Sequence, residues 1–231
     1  MRFFKKLFSK SKNQMHQETQ GPNWFDEDIY ETKSLHFKSV LGDPHPTLIA
    51  ALIGWDLGGP VDLWIYPNHN SGTIFTTMQL VIPGDKSRDQ NQLGMYELAA
   101  ATRHQPQPHT DNSTQENTGE QTPFDNMVLE IRTLLTGAAR YSGECPIEPL
   151  ETAEVEADEP GVENTCLIFD TLIGRVAGLE LSGEPYGVIL VMKVHPSELQ
   201  YARQNGTPAL IGKLKDTGVY PFSDLDRESV V

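Results

Sequence analysis

Apolar and polar positions follow different rhythms along this chain, and each rhythm predicts a different element. Between Phe124 and Tyr141, the residues Phe124, Met127, Val128, Ile131, Leu134, Leu135 and Ala138 recur every three or four positions, the spacing of one buried helix face. Thr122 suits the N-cap, Pro123 the first helical position, where a missing N–H costs nothing, and Asp125 the anion-favouring first turn. Val61 to Tyr66 and Thr73 to Met78 are rich in β-formers, and the turn residues Asn68 to Gly72 join them as a hairpin. Met95 to Thr102 predicts a third strand with Tyr96, Leu98 and Ala100 on one face. Thr165 to Leu172 and Tyr186 to Val194 predict two more, and the unbroken run Val188 to Val191 implies burial on both faces.

Breaks in the pattern place the remaining pieces. Asp43-Pro44-His45-Pro46 reads as a turn, after which Thr47 can cap a short apolar helix through Leu48, Ile49, Leu52 and Ile53. Leu57-Gly58-Gly59-Pro60 stops that helix, because paired glycines and a proline disfavour its interior. Asp85 to Gly94 is a polar loop. Glu144 to Asn164 holds eight acidic residues and no basic one, which predicts a solvated loop or a docking site for a basic segment. Near the C-terminus, Ser197 with Gln200 forms a candidate capping box and Gly206 ends the helix. Thr207-Pro208 opens a second helix, with Leu210, Ile211 and Leu214 apolar and Gly218 closing it.

Arg103 to Pro123 contains no aliphatic or aromatic residue over 21 positions, a length that inside a compact domain marks a linker or a functional loop. The predicted organisation is a basic tail over 1–20, an N-terminal lobe over 21–102, a polar linker or loop over 103–123 and a C-terminal lobe over 124–231. The fold class is α+β.

Charge narrows the partners. The whole chain carries −14, but residues 1–20 hold five basic residues and only Glu18, leaving 13 basic against 31 acidic residues, a net −18, in 21–231. Such a surface repels phosphate backbones and favours a basic protein partner, or serves solubility alone. In the tail, Phe3, Phe4, Leu7 and Phe8 interleave with Lys5, Lys6, Lys10 and Lys12. Residues 1–12 are thus a candidate for lying on an anionic membrane surface, for docking on the acidic body, or for a plain basic tail. Cys145 and Cys166 form neither a disulfide framework nor a zinc spacing, no apolar stretch suits a secretory signal or a membrane span, and a cytoplasmic protein is expected.

Catalytic motifs are missing from the sequence. It has no GxGxxG, GxxxxGK[ST], GxSxG or HExxH, and no pattern calls for a cofactor. His104 and His109 lie five apart in the polar linker, and His45 and His195 sit beside prolines at element ends. Cys145 stands among acids, which oppose a thiolate. Asp62, in the first predicted strand, is either an outward residue or a site carboxylate. The alternative to a non-enzyme is a hydrolase with a dispersed site drawing on His45, His69 and His195.

Several segments, in order, resemble the suppressor of fused family, a two-lobed domain of the animal Hedgehog-pathway regulator and of many bacterial proteins. Leu57-Gly58-Gly59-Pro60 leading to Asp62-Leu63 resembles its LGGP element, Tyr96-Glu97-Leu98 its aromatic-Glu-Leu strand, and Ala139-Arg140-Tyr141 the end of its long helix. Gly187-Val188-Ile189, Glu198-Leu199 through Asn205-Gly206, and Asp224-Leu225-Asp226-Arg227 resemble its C-terminal strand, helix and closing segment. The likeness spans residues 44–231. It implies two α/β lobes of mixed sheet with flanking helices, joined flexibly, and a non-catalytic protein that holds a peptide between its lobes as an added strand. It also implies partner contact by Glu97. The family's second contact is an Asp shortly after a Gly-Leu-Ser element. This chain reads Thr77-Met78-Gln79-Leu80 there, so that second contact and the animal peptide specificity do not carry over; Asp85 stands beside Glu97 as a candidate partner-binding residue. Similarity to bacterial members implies an immunity-type protein that binds and neutralises a toxin, for which a basic toxin domain suits the acidic body.

Overall fold

The computed structural model describes residues 27–55, 58–69, 71–83, 90–106, 122–156, 164–174 and 179–231. Among these residues seven strands form one mixed sheet: β1 (Trp64–His69), β2 (Gly72–Thr76), β3 (Met95–Thr102), β4 (Thr152–Val155), β5 (Thr165–Ile173), β6 (Glu180–Leu181) and β7 (Glu184–Val194). The order is β1-β2-β3-β7-β5-β4, with β6 beside β7. Every pairing is antiparallel except β3 with β7, which runs parallel from Met95 against Tyr186 to Ala99 against Leu190. Segments 21–102 and 124–231, expected as two lobes, therefore meet in one sheet through that central pair.

Helices α1 (Glu27–Leu41), α2 (Pro123–Glu144), α3 (Pro196–Asn205) and α4 (Thr207–Asp216) cover it. Side chains alternate across a strand, so β7 sorts them. Ile189 and Val191 join Tyr96, Leu98 and Ala100 of β3 in a core with Ile131, Leu135 and Ala138 of α2. On the other face, Tyr186 and Val188 meet Phe37 and Leu41 of α1, and Leu190, Met192 and Val194 meet Leu199, Leu210 and Leu214 of α3 and α4. Val188 to Val191 are fully buried, as their β-branched run implied.

Helix α2 begins as its sequence predicts. Thr122 Oγ1 accepts from the Asp125 N–H (3.1 Å), the Asp125 carboxylate accepts from the Thr122 N–H (2.9 Å), and Pro123 opens the helix. At α3 the cap falls two residues before Ser197. His195 holds the N-cap position, Pro196 the first turn, and Glu198 accepts the His195 N–H (2.9 Å), while the Ser197 hydroxyl bonds Ser229. Proline at 196 fixes the entry, because its missing N–H is harmless only there.

Two further local expectations are corrected. No helix forms over 47–53. Ile49 instead exchanges backbone bonds with Leu63 (3.1 and 3.0 Å), Asp62 Oδ1 accepts the Ala51 N–H (2.7 Å), and Leu52 and Ile53 stand exposed. The acidic stretch 144–164 is not wholly loop, since Thr152 to Val155 pair with β5 as β4. Helix α1 and the short β6 were not anticipated, and β6 turns into β7 through Ser182 and Gly183, both at positive φ as a tight hairpin of this kind requires. The basic aromatic tail over 1–12 lies outside the described residues. No helix among the described residues is long and apolar enough to cross a membrane.

Candidate functional site

Glu97 lies on the β3 face that packs against α1, with no solvent exposure, so it is not a surface strand carboxylate. Burying a carboxylate is tolerable only if its oxygens find donors. Lys33 Nζ of α1 stands 2.7 Å from Oε1 and also donates to the Met78 carbonyl (2.9 Å). Thr77 Oγ1 donates to Oε2 (2.7 Å), the Leu80 N–H reaches both oxygens (3.1 Å), and the Val81 N–H reaches Oε1 (3.0 Å). Thr77 Oγ1 in turn accepts the Leu98 N–H (2.9 Å). One carboxylate thus organises the turn after β2 and ties α1 to the sheet.

Around it, Tyr186 OH lies 3.0 Å from His36 Nδ1, and Tyr30 packs edge-on to Trp64. Burial drives the Tyr30, Tyr66 and Tyr186 phenols well above their ordinary range, reinforced at Tyr186 by the Glu97 charge, so all three stay neutral. This is a packed polar seam.

A second arrangement sits where β3 and β7 part. Their ladder ends at Ala99 and Leu190. Beyond it, the C-terminal segment enters the gap: the Ser223 N–H donates to the Ala101 carbonyl (2.8 Å), and Ser223 Oγ accepts the Lys193 N–H (3.2 Å). Asp224, almost fully buried, accepts from the Thr102 hydroxyl and from the Arg103 N–H (2.9 Å), with His104 Nε2 at 3.8 Å. The carboxyl ends of parallel strands are where open sheets commonly receive ligands. Here the chain's own residues 222–224 occupy that place.

The same segment is anchored farther on. Arg227 grips Glu198 with two bonds, Nη1 to Oε1 at 2.6 Å and Nη2 to Oε2 at 2.8 Å, and the Val230 N–H donates to Oε1 (2.9 Å). Burial alone would raise the Glu198 pKa. The hydrogen bonds from Arg227, Val230 and His195 overcome it and hold the carboxyl below its ordinary value.

The other residues marked in the sequence are scattered. Asp62 is half-buried, held by the Ala51 N–H and by Gln79 Nε2 (2.6 Å), and burial lifts its carboxyl above the ordinary value against those bonds. His45 Nδ1 accepts the Thr47 N–H, His195 Nε2 meets the Arg227 carbonyl (2.9 Å), and His69 ends β1. Cys145 is exposed and Cys166 buried, and they form no disulfide. Asp85 and His109 lie outside the described residues. Among the described residues no group of three or more His, Cys, Asp or Glu side chains could hold a metal ion. Sequence reasoning missed Lys33, whose signal was a lysine in the stripe Ile29, Lys33, Phe37, Leu41.

No family model matches the chain, and no curated protein matches its sequence. Solved structures do match. A chain of the Sufu–Fu complex superposes with a TM-score of 0.56 at 13% identity, covering 88% of this chain and 91% of that one. A protein described as a suppressor of fused homologue, from Neisseria gonorrhoeae FA 1090, gives 0.53 at 12% identity over 89% of this chain and 98% of its own. Drosophila Suppressor of Fused gives 0.50 at 14% identity over 87% of this chain, which spans half of that longer protein. The chain therefore has a suppressor of fused-like α+β fold, as the sequence resemblance implied.

Proposed function

We propose that this chain is a protein-interaction domain of the suppressor of fused type, holding a protein or peptide partner and performing no chemistry of its own. The observation that carries the reading is the fold, shared over 88% of the chain with one found in a complex between two proteins, Sufu and Fu. The net −18 of residues 21–231 favours a basic partner. An immunity-type role follows, in which the acidic domain binds and neutralises a basic toxin domain.

Glu97 serves this role from inside. It fixes the backbone of Leu80 and Val81, so a partner contact on the turn after β2 depends on the Lys33–Glu97 anchor. Co-expression with the proteins encoded by neighbouring genes, followed by size-exclusion chromatography, tests the reading. A stable stoichiometric complex is expected, and for a toxin partner, rescue of growth. Recovery of the chain alone from every such co-expression would overturn it.

A further inference from the structure

The two ends of the sheet differ in how they are finished. The outer edge of β1 is covered by its own chain: the His45 N–H donates to the Ile65 carbonyl (2.7 Å), Ile49 exchanges bonds with Leu63, and Pro67 has no N–H to offer. At the opposite end, β4 pairs among the described residues with β5 alone. The Phe169 N–H bonds the Glu151 carbonyl (3.0 Å), and the period of two then turns the backbone groups of Ala153 and Val155 toward β5 and those of Thr152 and Glu154 outward. Among the described residues, no group bonds that outward row. An open row of this kind is a template for another strand, and β4 itself carries no lysine or proline to blunt it.

The surroundings select what can pair there. Glu148, Glu151, Glu154 and Glu156 flank or belong to the edge, and no basic residue occurs between 144 and 164. Arg203 of α3 bonds Glu154 there (2.9 Å), with both side chains partly exposed. On the α2 side, Val155 is 52% exposed at the end of the strand.

We propose that β4 is a docking edge that takes an extended basic segment of a protein partner as an added antiparallel or parallel strand. Main-chain bonds to Thr152 and Glu154 supply affinity, and the glutamates select lysine or arginine at alternate positions. The proposal rests on the interaction reading above and adds the partner's chemistry and its seat.

Ten-residue peptides alternating lysine with valine or threonine, titrated into the isotope-labelled full chain, test it against glutamate-containing counterparts. The lysine peptides are expected to shift the amides of Thr152, Glu154 and Glu156, with affinity falling as salt rises, while the acidic peptides shift none of them. Glu154→Pro removes an outward N–H without touching the β4–β5 ladder, and is expected to weaken binding about five- to tenfold. Should that variant fail to fold, Glu151→Lys and Glu156→Lys are each expected to weaken it about two- to fivefold. Unmoved amides over 152–156 with every lysine peptide, or shifts confined to another surface, would overturn the docking edge. A partner that co-purifies equally with wild type and Glu154→Pro would also overturn it while leaving the interaction reading intact, whereas that reading fails only if wild type recovers no partner.

Discussion

Lys33 Nζ lies 2.7 Å from Glu97 Oε1 with both side chains buried, and this pair is a buried ion pair between α1 and the sheet. Removing one member strands the other's charge. Lys33→Met is expected to lower stability by about 3–5 kcal/mol, read from urea unfolding. The double variant Lys33→Met, Glu97→Gln should recover part of that loss, because a neutral amide oxygen still accepts from Leu80 and Val81 and no charge is left unpaired. A double variant as unstable as the sum of the two singles would refute the coupling.

Glu198 offers a pH-dependent counterpart. Burial opposes its ionisation, but Arg227 and the backbone N–H groups of Val230 and His195 prevail, so its folded pKa lies below the unfolded one. Its contribution is therefore fully present above the unfolded value, roughly pH 4.3, and is lost as pH falls through the lower folded value. Glu198→Gln should cost about 2 kcal/mol near neutral pH, and the gap to wild type should close in acid. A gap that stayed constant down to the acid limit would mean that the carboxylate's charge contributes nothing.

These two pairs mark the limit of what the sequence could tell. Helix α2, strand β3 with its faces and the buried run in β7 were legible because apolar spacing and caps state them locally. Helix α1 was not, since Lys33 interrupts the stripe Ile29, Phe37, Leu41 and gains its meaning only from Glu97, 64 residues away. The same holds for β4, where acids at 151, 154 and 156 mask a strand fixed by its partner β5. The 47–53 segment misled in the opposite direction: its apolar residues suggested a helix, but pairing with Leu63 and Asp62 won. Glu97 was singled out through family likeness, yet its burial and its four partners could not be read from its neighbours in sequence.

Two glycines should respond to alanine with opposite signs. A Cβ on Gly72 would meet Phe222 Cε1 at 2.2 Å and the Thr102 carbonyl at 2.6 Å, pressing on the segment that fills the β3–β7 gap. Gly72→Ala is expected to cost about 1–3 kcal/mol by overpacking, with faster amide exchange at Ser223. Gly137, exposed inside α2, has nothing within 4 Å of that position. Gly137→Ala should add up to about 1 kcal/mol through helix propensity, seen as a higher urea midpoint.

Leu150 is strained where β4 begins. Its φ is +72°, a region that L side chains rarely adopt. Its N–H donates to the Phe169 carbonyl (2.8 Å), the Phe169 N–H donates to the Glu151 carbonyl, and the Glu151 N–H reaches back to Glu148 (3.3 Å). That is a turn running into a bulge whose first position favours glycine. Since the side chain is 45% exposed, its truncation forfeits little burial. Leu150→Gly should therefore be more stable than Leu150→Ala by about 1 kcal/mol, because both lose the side chain and only glycine relieves the backbone. Thermal unfolding of the two variants checks this, and equal midpoints would mean that the positive φ carries no strain.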